Sequence, residues 1–433
     1  MLPIPLYAAG PSTDVAATSA LVQGINDNLI QTTDASGGIK RNPSFFTGLD
    51  NTFQLRITEP DTDVHGLRLR VRGQFYEPLT GVPADPDGTV QGVWTSNFGL
   101  AKYTSLNVSL SSTVTTITSA RVGDGTLFYT IDPSTTQTTF MLNQFSYTIS
   151  HELSDRWRIR QGGGALMTTT LQAPPFPLAS GLSLDRRGFD GFQPFGTLAV
   201  LHDFTSRDTG DIAVMYRYLY APYSLDFTQS PPRVGGPQKM HQVIPDVGWN
   251  HQWTDNWRTI TRAGVSVASP PNFDPDTRVV LRPVGTEEVY FANERWSFIG
   301  VASATYGAVT PRLGAGPQIG AVASLAGVPY SYGKWGRMVM IYRAQASYAS
   351  INAGPNTSAT LTVVGASAEA RYPLTKWLGL MGGYDVRFST FATSGGPVTP
   401  YFRNILFLGL SGYWTTDGTI PPLQLLEAPF KPG

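Results

Sequence analysis

From residue 51 onward, apolar and polar side chains alternate with a period of two, the repeat of a strand with different environments on its two faces. Phe53, Leu55 and Ile57 alternate with Gln54, Arg56 and Thr58. Leu67, Leu69 and Val71 alternate with Arg68, Arg70 and Arg72, which puts three guanidinium groups opposite three aliphatic side chains. Phe145, Tyr147 and Ile149 oppose Gln144, Ser146 and Thr148, and Ile212 to Tyr220 shows the same pattern around Met215 and Arg217. Near the end, Leu378, Leu380, Tyr384, Val386 and Phe388 oppose Met381, Asp385, Arg387 and Ser389. The pattern predicts strands near 51–59, 64–76, 89–99, 104–118, 138–151, 156–171, 192–205, 210–221, 241–253, 257–269, 281–292, 296–309, 317–326, 335–350, 358–372, 376–391 and 402–414.

A repeat lies on top of this alternation. His151-Glu-Leu-Ser-Asp-Arg-Trp157, His202-Asp-Phe-Thr-Ser-Arg207, His251-Gln-Trp-Thr-Asp-Asn-Trp257 and Tyr372-Pro-Leu-Thr-Lys-Trp377 share a ring, a bulky apolar residue, Ser or Thr, and a polar turn. Phe291-Ala-Asn-Glu-Arg-Trp296 is a degenerate copy. Short turns flanked by rings therefore recur at one end of the strands. Segments rich in Pro, Gly and Asp recur at the other: Pro78–Gly88, Ala120–Thr136, Ala173–Gln193, Thr228–Met240, Ser269–Thr277 and Thr393–Pro400. A soluble β-sandwich has no reason to keep this asymmetry, whereas a membrane barrel has short turns on one side, long loops on the other and rings at the boundary.

Composition narrows the class. Charged residues make up 14% of the 433 and aromatic residues 12%, so something other than charge covers part of the surface. The formal net charge is zero, which argues against a general nucleic-acid binder. With no cysteine the chain has no disulfide, thiolate metal site or cysteine catalysis. The first residues, MLPIPLYAAGPSTDV, lack the basic and apolar regions of a signal peptide, so any such peptide is expected to be absent from this numbering. No apolar run approaches the ~18 residues of a membrane-spanning helix, so a membrane position requires a closed barrel.

The segment Asn404-Ile-Leu-Phe-Leu-Gly-Leu-Ser-Gly-Tyr-Trp414 places Leu406, Leu408, Leu410, Gly412 and Trp414 on one parity and ends in an aromatic residue. It resembles the last strand of Gram-negative outer-membrane β-barrels, which the barrel-assembly machinery reads. The resemblance, a porin-like one, extends over roughly residues 51–414 as a pattern. It departs from the common case in that Thr415–Gly433 follows the aromatic residue. It implies an all-β, closed antiparallel transmembrane β-barrel of about 16 strands, within a range of 14–18. The predicted segments number 17 and a single-chain bacterial barrel usually closes on an even number, so either one segment is not a strand or one before residue 51 is missing. Residues 1–50, in which DVAATSALVQGINDNLI suggests a short helix, are expected to form an N-terminal arm or plug, 51–414 the barrel and 415–433 a periplasmic tail.

If lipid takes the apolar face, Arg56, Arg68, Arg70, Arg72, Arg158, Arg160, Arg217, Arg258, Arg262, Arg343, Arg371 and Arg387 line the lumen, because an arginine against mid-membrane lipid costs about 2–4 kcal/mol. They form either a cationic pore wall that favours anions or a set of ion pairs with loop or plug carboxylates. Asp203, Asp246, Glu369 and Asp385 are acidic residues of the same strands. Trp157, Trp253, Trp257, Trp296, Trp377 and Trp414 lie near turns or strand ends and fit a membrane-interface girdle. His151, His202 and His251 head separate repeat copies, so rings at an interface describe them better than a metal site. Gly162-Gly163-Gly164 and the stretch from Gly314 to Gly320 lack the Lys-Ser/Thr of a phosphate loop and read as strand glycines. No HExxH, GxSxG or cysteine motif occurs, and neither an enzyme nor a bound cofactor is expected.

The expectation is an outer-membrane pore for passive passage of small solutes with a preference for anions. Its expected partners are outer-membrane lipid, the barrel-assembly machinery, and further copies or other envelope proteins. The alternatives are a scaffold barrel within an outer-membrane complex and a soluble, secreted β-rich binding or assembly protein.

Overall fold

The computed structural model describes residues 12–33, 39–59, 63–79, 86–118, 137–172, 176–177, 183–184, 190–222, 224–226, 233–235, 237–269, 279–293, 295–310, 314–327, 338–354, 357–375, 377–393 and 399–416. Its strands are β1 (Ser12–Thr33), β2 (Ile39–Thr58), β3 (Val64–Pro78), β4 (Asp87–Ala101), β5 (Thr104–Thr118), β6 (Gln137–Glu152) and β7 (Trp157–Gln172). They continue as β8 (Phe176–Pro177), β9 (Ser183–Leu184), β10 (Gly191–Asp203), β11 (Asp208–Ala221), β12 (Ser224–Asp226), β13 (Arg233–Gly235) and β14 (Gln238–Gln252). The last are β15 (Trp257–Ala268), β16 (Val280–Ala292), β17 (Trp296–Thr310), β18 (Gly314–Gly327), β19 (Val339–Gly354), β20 (Thr357–Pro373), β21 (Leu378–Thr393) and β22 (Thr399–Thr415).

Eighteen of these strands pair antiparallel, each with its neighbours in sequence, and β1 pairs with β22 to close the wall. β8–β9 and β12–β13 are small hairpins within two of the connections. All seventeen predicted segments fall on barrel strands, and the additional strand is β1. The arm or plug expected over residues 1–50 is therefore corrected: Ser12–Thr33 and Ile39–Thr58 are wall. The expected helix is also strand. Ala17, Ser19 and Gln23 interrupt the apolar parity of β1, so its own pattern is weak. Pairing on both sides overrides it, with Ala17 opposite Trp414, Leu21 opposite Leu410 and Ile25 opposite Leu406. The expected tail begins as wall too, since Thr415 pairs with Ala16 and the Thr416 N–H donates to the Val15 carbonyl at 3.0 Å. Residues 417–433 lie outside the described residues.

Among the described residues there is no central apolar core of the soluble kind. Leu69, Val71, Phe75, Ile212, Leu281, Ile319, Leu406 and Leu408 all lie exposed on the outer surface, while Asn26, Gln74, Asp87, Gln91 and Gln242 are buried toward the interior. The period-two alternation thus sorts side chains into an apolar outside and a polar inside.

The connections divide as their lengths suggest. One end, here the turn end, carries 59–63, 102–103, 153–156, 204–207, 253–256, 293–295 and 374–377, together with the start of β1 at Ser12 and the end of β22 at Thr415. Residues 328–338 are a longer link at that end. The other, the loop end, carries 79–86, 119–136, 173–190, 222–237, 269–279 and 394–398, with short links at 34–38, 311–313 and 355–356.

Candidate functional site

The repeat explains how the turn end is built. In each copy one side-chain oxygen accepts a backbone N–H two residues on, and in all but the Thr205 copy one three residues on as well, which closes the turn locally. Ser154 Oγ accepts from Trp157 at 3.2 Å, Thr254 Oγ1 from Asn256 and Trp257 at 3.2 and 3.1 Å, and Thr375 Oγ1 from Trp377 and Leu378 at 3.2 and 3.0 Å. Asn293 takes the same place in the degenerate copy, with Oδ1 accepting from Arg295 and Trp296 at 2.8 and 2.7 Å. Thr205 Oγ1 accepts from Arg207 at 3.1 Å.

The turns set a ring of aromatic side chains at that rim. Trp157, Trp253, Trp257, Trp296, Trp377 and Trp414 all fall there, and all but Trp296, which packs over Gly327, are exposed. His202 lies between the rings of Trp157 and Phe204, with centroids at 4.2 and 4.6 Å. His251 meets Trp253 at 4.3 Å and its Nδ1 is 2.5 Å from Asp208 Oδ1, while His151 Nδ1 lies 2.8 Å from Thr104 Oγ1. The three histidines stand on separate hairpins, and among the described residues no three His, Asp or Glu side chains converge.

Along the wall, all twelve predicted arginines sit on the inward parity. On β3, Leu69 and Val71 are exposed outward while Arg70 meets the Asp50 carboxylate of β2 through Nε and Nη2 at 2.9 and 2.5 Å. Arg158 binds Asp203 at 2.6 Å, and Arg262 bridges Asp246, at 2.5 Å, and Asp211. Arg371 pairs with Glu369, which Arg343 approaches at 4.0 Å, and Asp385 faces Arg387 at 3.2 Å and Arg403 at 3.7 Å. Among the described residues these partners are wall carboxylates, not the loop or plug carboxylates expected. Arg258 instead donates to Asn250 Oδ1 at 2.7 Å and lies over the Tyr290 ring. Arg343, on β19, also lies within electrostatic range of Arg70 and Arg72 on β3, so the cationic belt reaches across strands of different arcs.

Sequence reasoning missed Asp50, Asp211 and Arg403. The last two carried a readable signal, since Asp211 opposes Ile212 and Arg403 shares the parity of Ile405, opposite Leu406. Asp50 was hidden because the strand pattern starts one residue later. The triple glycine is a packing feature. A Cβ on Gly164 would stand 2.1 Å from the Phe145 carbonyl oxygen and 2.8 Å from the Phe195 ring, so only glycine fits that approach.

A water-soluble fold does not surround itself with exposed Leu, Val, Phe and Trp on most of its strands while keeping arginine and aspartate inside. Each of the eighteen strands pairs on both sides, which is the condition for strands to stand in lipid. This is a transmembrane β-barrel. No family model matches the chain, and neither does any curated protein. Among solved structures the barrel is similar to the siderophore receptor PirA from Acinetobacter baumannii, with 9% identity, a TM-score of 0.45, and coverage of 92% of this chain and 80% of that one. It is similar to OccAB4 from the same organism, with 10% identity, a TM-score of 0.41, and coverage of 95% and 100%. The outer membrane protein opdK from Pseudomonas aeruginosa gives 11% identity, a TM-score of 0.36, and coverage of 92% and 99%.

Proposed function

We propose that the barrel is a pore for small hydrophilic solutes and that it prefers anions. The observation that carries this reading is the belt of inward arginines. Their pairing with wall carboxylates is incomplete: Arg56, Arg160, Arg217 and Arg258 have no ion-pair partner among the described residues. A guanidinium stays charged at any accessible pH, so the surplus raises the anion concentration in a water-filled lumen. The paired residues contribute little net field, and salt screens the rest over about 10 Å at 0.1 M. Selectivity is therefore modest and fades as salt rises. The aromatic rim supports an interface girdle at the turn end, which standard barrel topology puts on the periplasmic side.

The test is single-channel recording of the detergent-purified protein in a planar bilayer, with reversal potentials under a KCl gradient. A chloride preference that drops in the Arg68→Ser, Arg70→Ser, Arg72→Ser triple variant is the expected result. Cation preference, or no conductance at all, overturns the reading.

A further inference from the structure

Toward the loop end, here upward, the wall around β17 and β18 breaks. Pairing of β16 with β17 stops at Gly285 opposite Ala304, and pairing of β18 with β19 stops at Gln318 opposite Ala349. A proline stands past each last row, Pro283 and Pro317, and neither has the N–H that a neighbouring strand would take. Tyr306, next after Ala304 in outward parity, is buried against the inward side chains Leu219, Met240 and Ala268, and its carbonyl oxygen accepts from Gln242 Nε2. The β17–β18 hairpin thus leaves the wall above Ala304.

Below that level the outward face is flat. Ala302 and Ala304 on β17, Ala321 and Ala323 on β18, and Ala344 and Ala346 on β19 point outward. At the β16 margin Glu287 points outward too, opposite Ala302, and accepts a bond from Thr261 Oγ1 at 2.5 Å. Its depth sets this acid apart. Glu287 lies six residues before Asn293, where the β16–β17 turn begins. At about 3.3 Å per residue and a tilt of about 40° that is roughly 15 Å above the turn, inside an apolar band about 25 Å tall. Leu281 above it is exposed outward, and Phe291 below it packs on Trp257. The outward acids Glu77 and Asp208, by contrast, stand near strand ends. A carboxylate among alkyl chains is costly unless another group covers and bonds it.

The same face carries a donor at the same depth. Tyr342 on β19 points outward and pairs with Ala368, which lies six residues before Leu374, where the β20–β21 turn begins. Its phenol is exposed, and among the described residues its O–H meets Met340 Sδ at 3.3 Å, a weak acceptor. Glu287 and Tyr342 thus flank the alanines, about 14 Å apart across three strand spacings. A two-fold axis along the membrane normal, between β17 and β18, turns the acid of one copy onto the phenol of the other, and does so twice.

We propose that this face is the interface of a homodimer within the membrane, in which each Glu287 accepts the phenol O–H of the second copy's Tyr342. The alanines let the two sheets approach closely enough for those side chains to meet. The contact needs no conduction through the lumen, so it stands or falls independently of the pore.

The test uses the protein in phosphatidylcholine vesicles and exploits its lack of cysteine. Under mild oxidation Ala302→Cys and Ala323→Cys, beside the axis, should give disulfide-linked dimers. Leu110→Cys, exposed on β5 at the far side of the barrel, should not. Association is read from Förster transfer between copies labelled at Asp255→Cys, on an exposed turn. Tyr342→Phe and Glu287→Leu should each weaken it about a hundredfold, roughly tenfold for each of the two symmetric contacts. The double variant should be no weaker than either single one, because both remove the same bond. Glu287→Gln keeps an acceptor and should lose less. Heat-modifiable migration on gels checks that each variant is folded. Wild-type protein that stays monomeric at every protein-to-lipid ratio, cross-links as frequent at Leu110→Cys, or unchanged association in folded Tyr342→Phe overturns the proposal.

Discussion

The seam where the chain ends meet and the wall around β16–β19 are built to different standards. At the seam, β1 and β22 pair through eleven rows from Ala16–Thr415 to Asn26–Ile405, and the outward side chains include Leu21, Ile25, Leu406, Leu408, Leu410 and Trp414. Rows above Asn26–Ile405 are unpaired at the seam and upper rows are missing around β16–β19 too, but in the latter the outward positions lower down hold Gly285, Ala302, Ala304, Ala321, Ala323, Ala344 and Ala346. Glu287 also faces outward there, its carboxylate accepting from Thr261 Oγ1 at 2.5 Å. Covalent continuity does not decide where a barrel is strong. The seam has no peptide link across it and is held by paired backbone and lipid-facing leucine, whereas the broken stretch is continuous chain interrupted by proline.

The largest effect should come from the seam. A Cβ on Gly409 would stand 2.3 Å from the Leu21 carbonyl oxygen, which cannot move without parting the two strands. Gly409→Val should abolish the heat-modifiable folded band. At Gly300, in the weaker wall, an added Cβ meets only the Phe298 ring, at 3.0 Å, so Gly300→Val should leave most of the folded band in place. Equal loss in both variants would erase the contrast. A smaller effect is expected from lipid-facing side chains. Leu408→Ser should lower unfolding free energy in urea by about 2 kcal/mol and Ala321→Ser by less than about 1 kcal/mol, in proportion to the apolar surface removed. Similar losses would show that lipid contact is even around the barrel. The smallest effect concerns the break itself. Pro283→Val restores a donor to the edge of β16, and amide exchange at Ala304–Tyr306 should slow locally while global stability stays nearly constant. Faster or unchanged exchange would mean that proline is not what interrupts the pairing.

Much of this was legible because parity is a local property. The twelve arginines could be placed inward from the residues beside them, and the turn positions followed from Ser154, Thr205, Thr254 and Thr375 with their flanking rings. β1 was not legible, since Ala17, Ser19 and Gln23 break its apolar face and its partner Leu406–Trp414 is almost the whole chain away. The break in the wall was hidden for a related reason. Pro283 and Pro317 each lie in segments that alternate well enough to be strands, and only the register of the neighbouring strands shows that both fall past a last paired row. The ion pairs of Arg262 with Asp211 and Asp246 likewise depend on which hairpin follows which around the cylinder.

The capped turn has a consequence for how such a protein changes size. Its first three copies begin 51 and 49 residues apart, at His151, His202 and His251, and each interval spans one ascending and one descending strand. Because a side-chain oxygen within the turn fixes the reversal, the register of each pair is stored inside the segment and not borrowed from its neighbours. Such a segment behaves as an interchangeable stave. Duplicating or deleting one would widen or narrow the cylinder by two strands while leaving every other stave its own instructions for folding.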